Sequence, residues 1–340
     1  MRNRLLIEAA DAAQGRNATG VFPKIYVPSE RRDGPVGVEY FLEHGAALKQ
    51  ELKEKGALLF RGCGVNSAED FEAVLDAVPF ENMPYLGGAA PRRQITHRRI
   101  MTANESPPDE KIPLHHEMAQ TRQPPDYIFF YCDTAPISGG ATTLFDSRAA
   151  YDLLNLVDQS LAKQLETQGV RYTRVMPAVT DPASPIGRSW QETFLVETKP
   201  EAERVMQGQG LRWQWLDGDE LRTESPILPA VRIDAVSGRK TFFNSVIAAF
   251  TGWNDTRNVG HRAVQLGGGA YLPSAVFEQF LDRAATEVVN VPWKVGDMLW
   301  LDNKLVMHAR QPFEGARQIY TAIALESSEP SNQGASWVRA

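Results

Sequence analysis

Three residues in a row, in the stretch PLHHEM (residues 113–118), have side chains that can bind a metal ion: His115, His116 and Glu117. If this piece of the chain is an extended strand, residues i and i+2 point to the same face. His115 and Glu117 then point into one site, and His116 points away from it. One imidazole and one carboxylate do not complete a metal site, so a third ligand must come from elsewhere in the chain.

His308 is the best remote candidate for the third ligand in a chain that has only six histidines. Two histidines and one carboxylate on one face of a metal ion leave several coordination positions open, which is the ligand set of non-haem Fe(II) oxygenases. The same three residues could instead hold Zn²⁺ and a bound water in a hydrolase. Taken singly, each histidine is better explained as an ordinary core or surface residue, and a His-x-Glu motif has many chance matches.

Two further residues are candidates for binding a co-substrate. Arg317 lies nine residues after His308, beyond a predicted turn at 312–316, and a hairpin would return it to the neighbourhood of His308. Because an arginine offers paired donors to a carboxylate, Arg317 could anchor a dicarboxylate whose other end binds the metal. Thr142, after a Gly-Gly turn, could add a hydroxyl hydrogen bond. The alternatives are a surface ion pair for Arg317 and an ordinary strand position for Thr142.

Residues 82–112 are predicted to form a long loop, and such a loop in a compact domain is often a lid or a binding segment. We expect it to close over the site. The loop carries four arginines around His97, namely Arg92, Arg93, Arg98 and Arg99. Most of them are expected to form a solvated basic surface, although one or two could hold an anionic group of a substrate or partner. The candidate substrate contacts are Arg98, Asn244 and Arg310.

The segments around these residues must supply the scaffold that positions them. Apolar residues at helical spacing predict helices over residues 38–55, 67–77, 147–168 and 273–287. Runs rich in β-branched and aromatic residues predict strands, which include residues 57–62, 127–132, 141–145, 240–246, 288–293, 297–303, 304–309 and 318–325. Many short strands separated by turn signals suggest a sandwich or barrel with helices outside it.

The composition indicates a folded globular protein and excludes several classes. Of 340 residues, 43% are hydrophobic, which predicts one globular domain over residues 1–340. A net charge of −6 argues against a general nucleic-acid binder. Two cysteines make a disulfide framework unlikely to be the basis of the fold. Because we find neither a signal peptide nor an apolar run of about 18 residues, we expect a cytoplasmic protein with no membrane partner.

Three motifs, LHHEM, SGGAT and DNKLVMHARQPFEGAR, occur in this order and spacing. Together they resemble the Fe(II)/2-oxoglutarate-dependent dioxygenases of the taurine dioxygenase superfamily, and most of all the branch of SyrP-like amino-acid hydroxylases of nonribosomal peptide pathways. The resemblance implies an α+β, mainly β fold, with a distorted jelly-roll (double-stranded β-helix) core and flanking helices. By matching motif positions, it implies that His115, Glu117 and His308 bind iron and that Thr142 and Arg317 hold the distal carboxylate of 2-oxoglutarate.

The resemblance also implies a reaction that uses Fe(II), 2-oxoglutarate and O2. 2-Oxoglutarate is converted to succinate and CO2 while an unactivated C–H bond is hydroxylated in an amino acid or related small metabolite, either free or bound to a carrier protein. Halogenation is disfavoured because Glu117 stands where related halogenases carry a small residue. Desaturation and epoxidation use the same ligands and stay open. Some relatives carry a second arginine a few residues after Arg317, whereas this chain has Thr321 near that place.

Overall fold

The computed structural model describes residues 6–10, 14–17, 20–29 and 36–326 of the chain. The prediction of one domain over residues 1–340 therefore includes stretches outside the described residues. Within them, no helix is long and apolar enough to cross a membrane. The helices are α1 Gly37–Lys55, α2 Ala68–Asp76, α3 Ser147–Val157, α4 Gln159–Gln168, α5 Trp190–Phe194, α6 Lys199–Gln209, α7 Val246–Gly252, α8 Gly260–Ala263 and α9 Ser274–Ala284, with a 3-10 turn at Asp217–Asp219.

The strands are short and run through the whole of the described chain. They are β1 Leu6–Glu8, β2 Gly15–Asn17, β3 Gly20–Phe22, β4 Lys24–Pro28, β5 Ala57–Phe60, β6 Phe80–Asn82, β7 Met101–Thr102, β8 Ile112–His115, β9 Tyr127–Thr134, β10 Ser138–Gly139, β11 Thr142–Asp146, β12 Val170–Met176, β13 Arg212–Trp215, β14 Leu221–Glu224, β15 Arg232–Ile233, β16 Lys240–Thr241, β17 Val264–Leu266, β18 Val289–Val291, β19 Met298–Asp302, β20 Val306–Arg310, β21 Phe313–Glu314 and β22 Gln318–Glu326.

Two sheets form the part of the fold that positions the site. The larger one has the strand order β1-β4-β5-β19-β9-β22-β6, with β7 also paired to β22. The smaller one has the order β18-β11-β20-β8. Apolar side chains of both sheets share one core, in which Leu59, Ile128 and Leu301 of the larger sheet join Leu144 and Val306 of the smaller. This arrangement agrees with the predicted α+β, mainly β class.

Helices α1 and α2 cover the other face of the larger sheet. Strand β5 is buried along its whole length, as a strand with apolar neighbours on both faces must be. Its Leu58 and Phe60 pack with Phe41 of α1 and Phe71 of α2, while Leu59 faces the core between the sheets. Both helices occupy the predicted positions because their end signals were clear. Ser67 caps α2 through a hydrogen bond from Asp70 N.

Two predicted elements are wrong in detail. The single helix predicted to reach residue 168 is two helices, α3 and α4, because Asp158 takes an extended conformation between them and caps α4 by accepting from Leu161 N at 2.8 Å. The strand predicted over residues 240–246 is limited to Lys240–Thr241, since the chain turns into α7. Asn244 therefore does not lie in a strand but in the connection before that helix.

Candidate active site

The smaller sheet brings the first and third candidate ligands together. In the antiparallel pairing of β8 with β20, His115 lies opposite His308. The register shifts between that pair and the next, Arg310 opposite Ile112, so that β8 carries an extra residue at a bulge. Bulges re-aim side chains. Here the two imidazole rings lie 4.2 Å apart between centroids, and one ligand atom each of His115, Glu117 and His308 lies within 4.8 Å of the other two.

Glu117 follows the end of β8, and a fully buried asparagine fixes its backbone. Asn303 Oδ1 accepts from Glu117 N at 2.7 Å, and Asn303 Nδ2 donates to Glu117 O at 3.0 Å and to Pro125 O at 2.8 Å. The next residue, Met118, has a φ of 53°, which is unusual for a residue with a side chain. These contacts turn the chain sharply, and the turn leaves the Glu117 carboxylate facing the two histidines.

His116 points away from the cluster, as the alternation of an extended strand predicts. Its Nδ1 lies 3.0 Å from Asn244 O and its Nε2 lies 2.6 Å from Ser147 Oγ. Burial lowers the pKa of His116 to about 3. With both ring nitrogens engaged by protein groups, His116 is a structural residue that ties β8 to the start of α3 and to the segment before α7.

Burial keeps the two cluster histidines neutral, which is the form that binds metal ions. Desolvation lowers the pKa of His115, and it lowers that of His308 well below its usual value. His115 Nδ1 interacts with Pro113 O at 2.8 Å, so Nε2 remains available as a ligand atom. His308 Nε2 lies 3.8 Å from Glu117 Oε2. Two neutral imidazoles and one carboxylate, buried and convergent, fit a divalent metal of the iron or zinc type.

The cluster opens into a cavity of about 490 Å³ that also contains the predicted co-substrate residues Thr142 and Arg317. A short pairing of β10 with β21 brings them together. Gly140, between these elements, has a φ of 65°, and a Cβ atom there would lie 3.1 Å from Arg317 Cδ. The Gly-Gly turn thus lets the guanidinium pass close to the backbone, where Arg317 Nε donates to Gly140 O at 3.1 Å.

The electrostatics of Arg317 suit an anionic ligand. Burial, and after it the positive charge of Arg310, lower the pKa of Arg317 to about 10, with Cys132 opposing the change. A guanidinium that is costly to bury gains most from a carboxylate partner. Thr142 Oγ1 accepts from Trp293 Nε1 at 3.0 Å, which leaves the hydroxyl proton free to donate to a ligand.

The structure does not bring all three predicted substrate contacts to the cavity. Arg310 lines it, but its guanidinium donates to the carbonyls of Ser106, Pro107 and Glu110 at 2.6–2.9 Å, so it braces the loop. Arg98 lies at the surface, where its side chain is 63% exposed and pairs with Asp76. Neither Arg98 nor Asn244 lines the cavity.

Asn244 instead makes hydrogen bonds to the backbone around the start of α7. Its Nδ2 donates to Ala230 O at 2.9 Å, and its Oδ1 accepts from Val246 N at 2.8 Å. Thr321, at the place where some relatives carry a second arginine, is fully buried and donates to Phe129 O at 2.9 Å. Both residues therefore serve the scaffold.

Sequence reasoning missed two side chains that touch Glu117. One is Asn303, the second residue of a motif that we used only for His308 and Arg317. The other is Arg92, whose Nη2 donates to Glu117 Oε2 at 2.8 Å. Arg92 belongs to the basic cluster of residues 82–112, and its neighbour Arg93 forms an exposed pair with Glu105. The sequence did not distinguish the buried arginine from the exposed ones.

Comparison with known proteins agrees with this geometry. Residues 30–322 match the family model "Taurine catabolism dioxygenase TauD, TfdA family". A clavaminate synthase-like protein of Arabidopsis thaliana is 39% identical over 329 residues, which cover 95% of this chain and 99% of that protein. The dapdiamide synthesis protein DdaC of Enterobacter agglomerans is 29% identical over 296 residues, covering 84% of this chain and 86% of that protein.

Solved structures with the same fold have little sequence in common with the chain. The structure of AAD-2 in complex with Mn(II) and N-oxalylglycine has a TM-score of 0.51 at 15% identity, covering 97% of this chain and all of that one. PvcB of Pseudomonas aeruginosa has a TM-score of 0.51 at 16% identity, with 96% and 95% covered. These likenesses confirm the predicted fold. The family match extends over most of the chain and includes every residue of the metal-ligand cluster and its cavity partners, so the protein is an oxygenase that belongs to the taurine catabolism dioxygenase TauD, TfdA family.

Proposed function

We propose that this protein is an Fe(II)/2-oxoglutarate-dependent oxygenase that hydroxylates an unactivated C–H bond of an amino acid or related small metabolite. Fe(II), 2-oxoglutarate and O2, which the sequence led us to expect, fit the family. The observation that carries the proposal is the convergence of His115, Glu117 and His308 on one wall of a cavity that also contains Arg317 and Thr142. A metal site alone is common, whereas a metal site beside a buried arginine suits a chelating dicarboxylate.

Each residue has a definite task in this reaction. His115, Glu117 and His308 would hold the metal, and Arg317 and Thr142 would bind the distal carboxylate of 2-oxoglutarate. Bound Fe(II) would supply the redox chemistry by which 2-oxoglutarate and O2 give succinate and CO2 while one oxygen atom enters the substrate C–H bond. The protein orients the reactants and excludes water. Phe130, Met118 and Ile319 line the cavity and supply apolar walls.

The substrate class is proposed from the size of the cavity and from its relatives. A space of about 490 Å³ holds 2-oxoglutarate together with one small molecule. DdaC is named as a dapdiamide synthesis protein, a role in making a small natural product. We propose the same kind of biosynthetic role here, in the manner of the SyrP-like hydroxylases, with a substrate that is free or bound to a carrier protein.

Two alternative outcomes use the same residues. Desaturation or epoxidation needs no change in the metal ligands, and the substrate decides between them and hydroxylation. A metal-dependent hydrolase would use Zn²⁺ and a bound water at His115, Glu117 and His308. That scheme gives no task to Arg317 and Thr142, whose placement in the same cavity favours the oxygenase.

The first test is an anaerobic titration of the apoprotein with Fe(II) and then with 2-oxoglutarate. The signal that is measured is the visible charge-transfer band of 2-oxoglutarate chelated to the iron. We expect the band in the wild type and no iron-dependent succinate formation in His308→Ala. Arg317→Ala should weaken 2-oxoglutarate binding at least about 30-fold, since truncating one partner of a buried charge pair costs about 2 kcal/mol or more. Arg222→Ala is the matched control, because Arg222 is exposed on β14.

Two results would contradict the proposal. If the wild type binds iron but shows no band, 2-oxoglutarate is not chelated by the metal, and the hydrolase is favoured. The hydrolase is then tested with Zn²⁺ in the absence of O2. Full succinate formation by His308→Ala would show that the metal lies elsewhere.

A further inference from the structure

Arg92 is buried beside the metal-ligand cluster, although it belongs to a loop whose other arginines reach the surface or pair with α2. Its side chain is 5% exposed. Nη2 donates to Glu117 Oε2 at 2.8 Å, and the guanidinium carbon lies 4.3 Å from the centre of the Tyr85 ring. Both residues line the cavity with Arg92. The guanidinium is therefore held in one place by an ion pair and by an aromatic ring.

Two donor nitrogens of the Arg92 guanidinium have no hydrogen-bond acceptor among the described residues. Within the described part of the chain, neither Nε nor Nη1 has a hydrogen-bond acceptor, and both atoms are buried. A buried donor without a partner destabilises the folded protein, and more so when it is charged. In Arg310, another arginine of the cavity wall, three backbone carbonyls occupy both terminal nitrogens, and Nε is the one nitrogen without an acceptor in the described part of the chain. An anion bound in the cavity, which Arg92 lines, would give these donors an acceptor.

The charges expected at the site call for one more anion. A divalent metal and a dianionic co-substrate cancel each other, and Glu117 balances one of the two inner arginines, Arg92 and Arg317. At least one positive charge then remains without an anion in a buried space, where charge is expensive, because Arg310 also lines the cavity and is held by carbonyls rather than by a carboxylate. The other acidic groups of the cavity wall are already engaged or remote, since Asp181 and Asp255 pair with Arg257 and Glu110 is exposed.

We propose that Arg92 binds an anionic group of the primary substrate, which makes the substrate a small carboxylate. This inference rests on the proposed function and adds the substrate's charge to it. Because Arg92 already touches the carboxylate of Glu117, a group bound to its free donors lies beside the metal-ligand cluster. The C–H bond presented for reaction is then one close to the substrate carboxylate rather than at the far end of a long chain.

The test uses acetate as a probe and Mn(II) as a paramagnetic ion at the metal site. The full-length protein is loaded with Mn(II) and saturated with 2-oxoglutarate, and the relaxation of the methyl protons of acetate is compared with that of acetamide, its neutral analogue. We expect faster relaxation of acetate, and not of acetamide, in the wild type and in Arg93→Gln. Arg93 is the matched control because it is adjacent but exposed, and pairs with Glu105.

The variants of Arg92 decide the proposal. In Arg92→Gln the effect on acetate should fall at least about fivefold, while the relaxation of the 2-oxoglutarate protons by Mn(II) persists and shows that the site is folded. Arg92→Lys, which keeps the charge, should retain part of the acetate effect. The proposal is overturned if acetate relaxes equally in Arg92→Gln, if acetamide behaves like acetate, or if the wild type shows no acetate effect.

The 2-oxoglutarate protons report separately on the proposed function. If they are not relaxed in the wild type, 2-oxoglutarate does not bind at the metal and the proposed function fails, together with this inference. If they are relaxed and only the acetate result is negative, the oxygenase stands and Arg92 acts on Glu117 alone.

Discussion

At the scale of single residues, Asn303 decides how firmly Glu117 is held. Its side chain makes three hydrogen bonds, two to the backbone of Glu117 and one to Pro125 O, and it is fully buried. We expect Asn303→Ala to weaken Mn(II) binding about 10- to 100-fold, the usual effect of removing a group that orients a metal ligand. The same change should lower the free energy of unfolding by about 2–4 kcal/mol.

Lys304→Ala is the control for this prediction, because Lys304 is adjacent, 45% exposed and paired with Asp126. Metal affinity is measured by electron paramagnetic resonance of free Mn(II), and stability by urea unfolding of the apoprotein. If Asn303→Ala unfolds more easily but binds Mn(II) as tightly as the wild type, Asn303 supports the fold without orienting Glu117.

The convergence of His115, Glu117 and His308 was easier to predict from the sequence than the contacts of their neighbours, for a physical reason. The alternation of an extended strand separates His115 and Glu117 from His116, and this rule needs no tertiary information. The roles of Arg92 and Asn303 depend on which loops fold over which strands. Arg92 and Arg98 look alike in the sequence, yet one lies against Glu117 and the other against Asp76.

At the scale of elements, the turn between β19 and β20 carries a carboxyl group whose ionisation opposes folding. Burial raises the pKa of Asp302 to about 7, and Asp126 and Asp234 add to the rise while Lys304 opposes it. In the unfolded chain the same group has a pKa of about 3.9. Between pH 4 and pH 7 the folded state therefore binds more protons, so stability is lost as the pH rises through this range.

Asp302→Asn removes this ionisation and keeps an oxygen that can accept from Lys304 N, as Asp302 Oδ1 does at 2.9 Å. We expect the variant to be more stable than the wild type by about 2–4 kcal/mol at pH 8, at about 1.4 kcal/mol per unit of pKa. The gain should vanish near pH 4. Urea unfolding of the apoprotein at both pH values checks this, with the exposed Asp282→Asn as control. An equal gain at both pH values would exclude ionisation as its cause.

The elements were predictable where their ends carry local signals. Gly56 ends α1 with a φ of 82°, and Ser67 begins α2. The sequence pattern did not reveal the break between α3 and α4 at Asp158, because an aspartate within an apolar helical pattern is usually a surface residue of one continuous helix. Here Asp158 caps the second helix. The segment at 240–246 has the composition of a strand, but only Lys240–Thr241 pairs, and Asn244 Oδ1 accepts from Val246 N where the chain turns into α7.

At the scale of the whole molecule, the loop of residues 82–112 is the segment that we predict to act as a lid over the cavity. Residues of this loop form part of the cavity wall. Arginines of the loop and of other elements hold the loop in place at separate points. Arg188 donates to the carbonyls of Tyr85 and Gly88 at 3.1–3.2 Å, and Arg99 pairs with Asp76 at 3.0 Å. Closure as a lid stays a prediction, and these contacts limit where the loop can move.

Trypsin cleavage after Lys111, an exposed residue near the end of this loop, measures that movement. Arg310→Gln removes the hydrogen bonds to the carbonyls of residues 106, 107 and 110. Each lost bond lowers the free energy of local opening by about 0.5–1.5 kcal/mol. We therefore expect cleavage to be faster than in the wild type by about tenfold or more. Mn(II) with 2-oxoglutarate and substrate should slow cleavage in the wild type, whereas the exposed-site variant Arg222→Gln should behave as the wild type does. Cleavage after Lys111 that responds neither to Arg310→Gln nor to ligands would show that this loop is a fixed wall of the cavity rather than a lid.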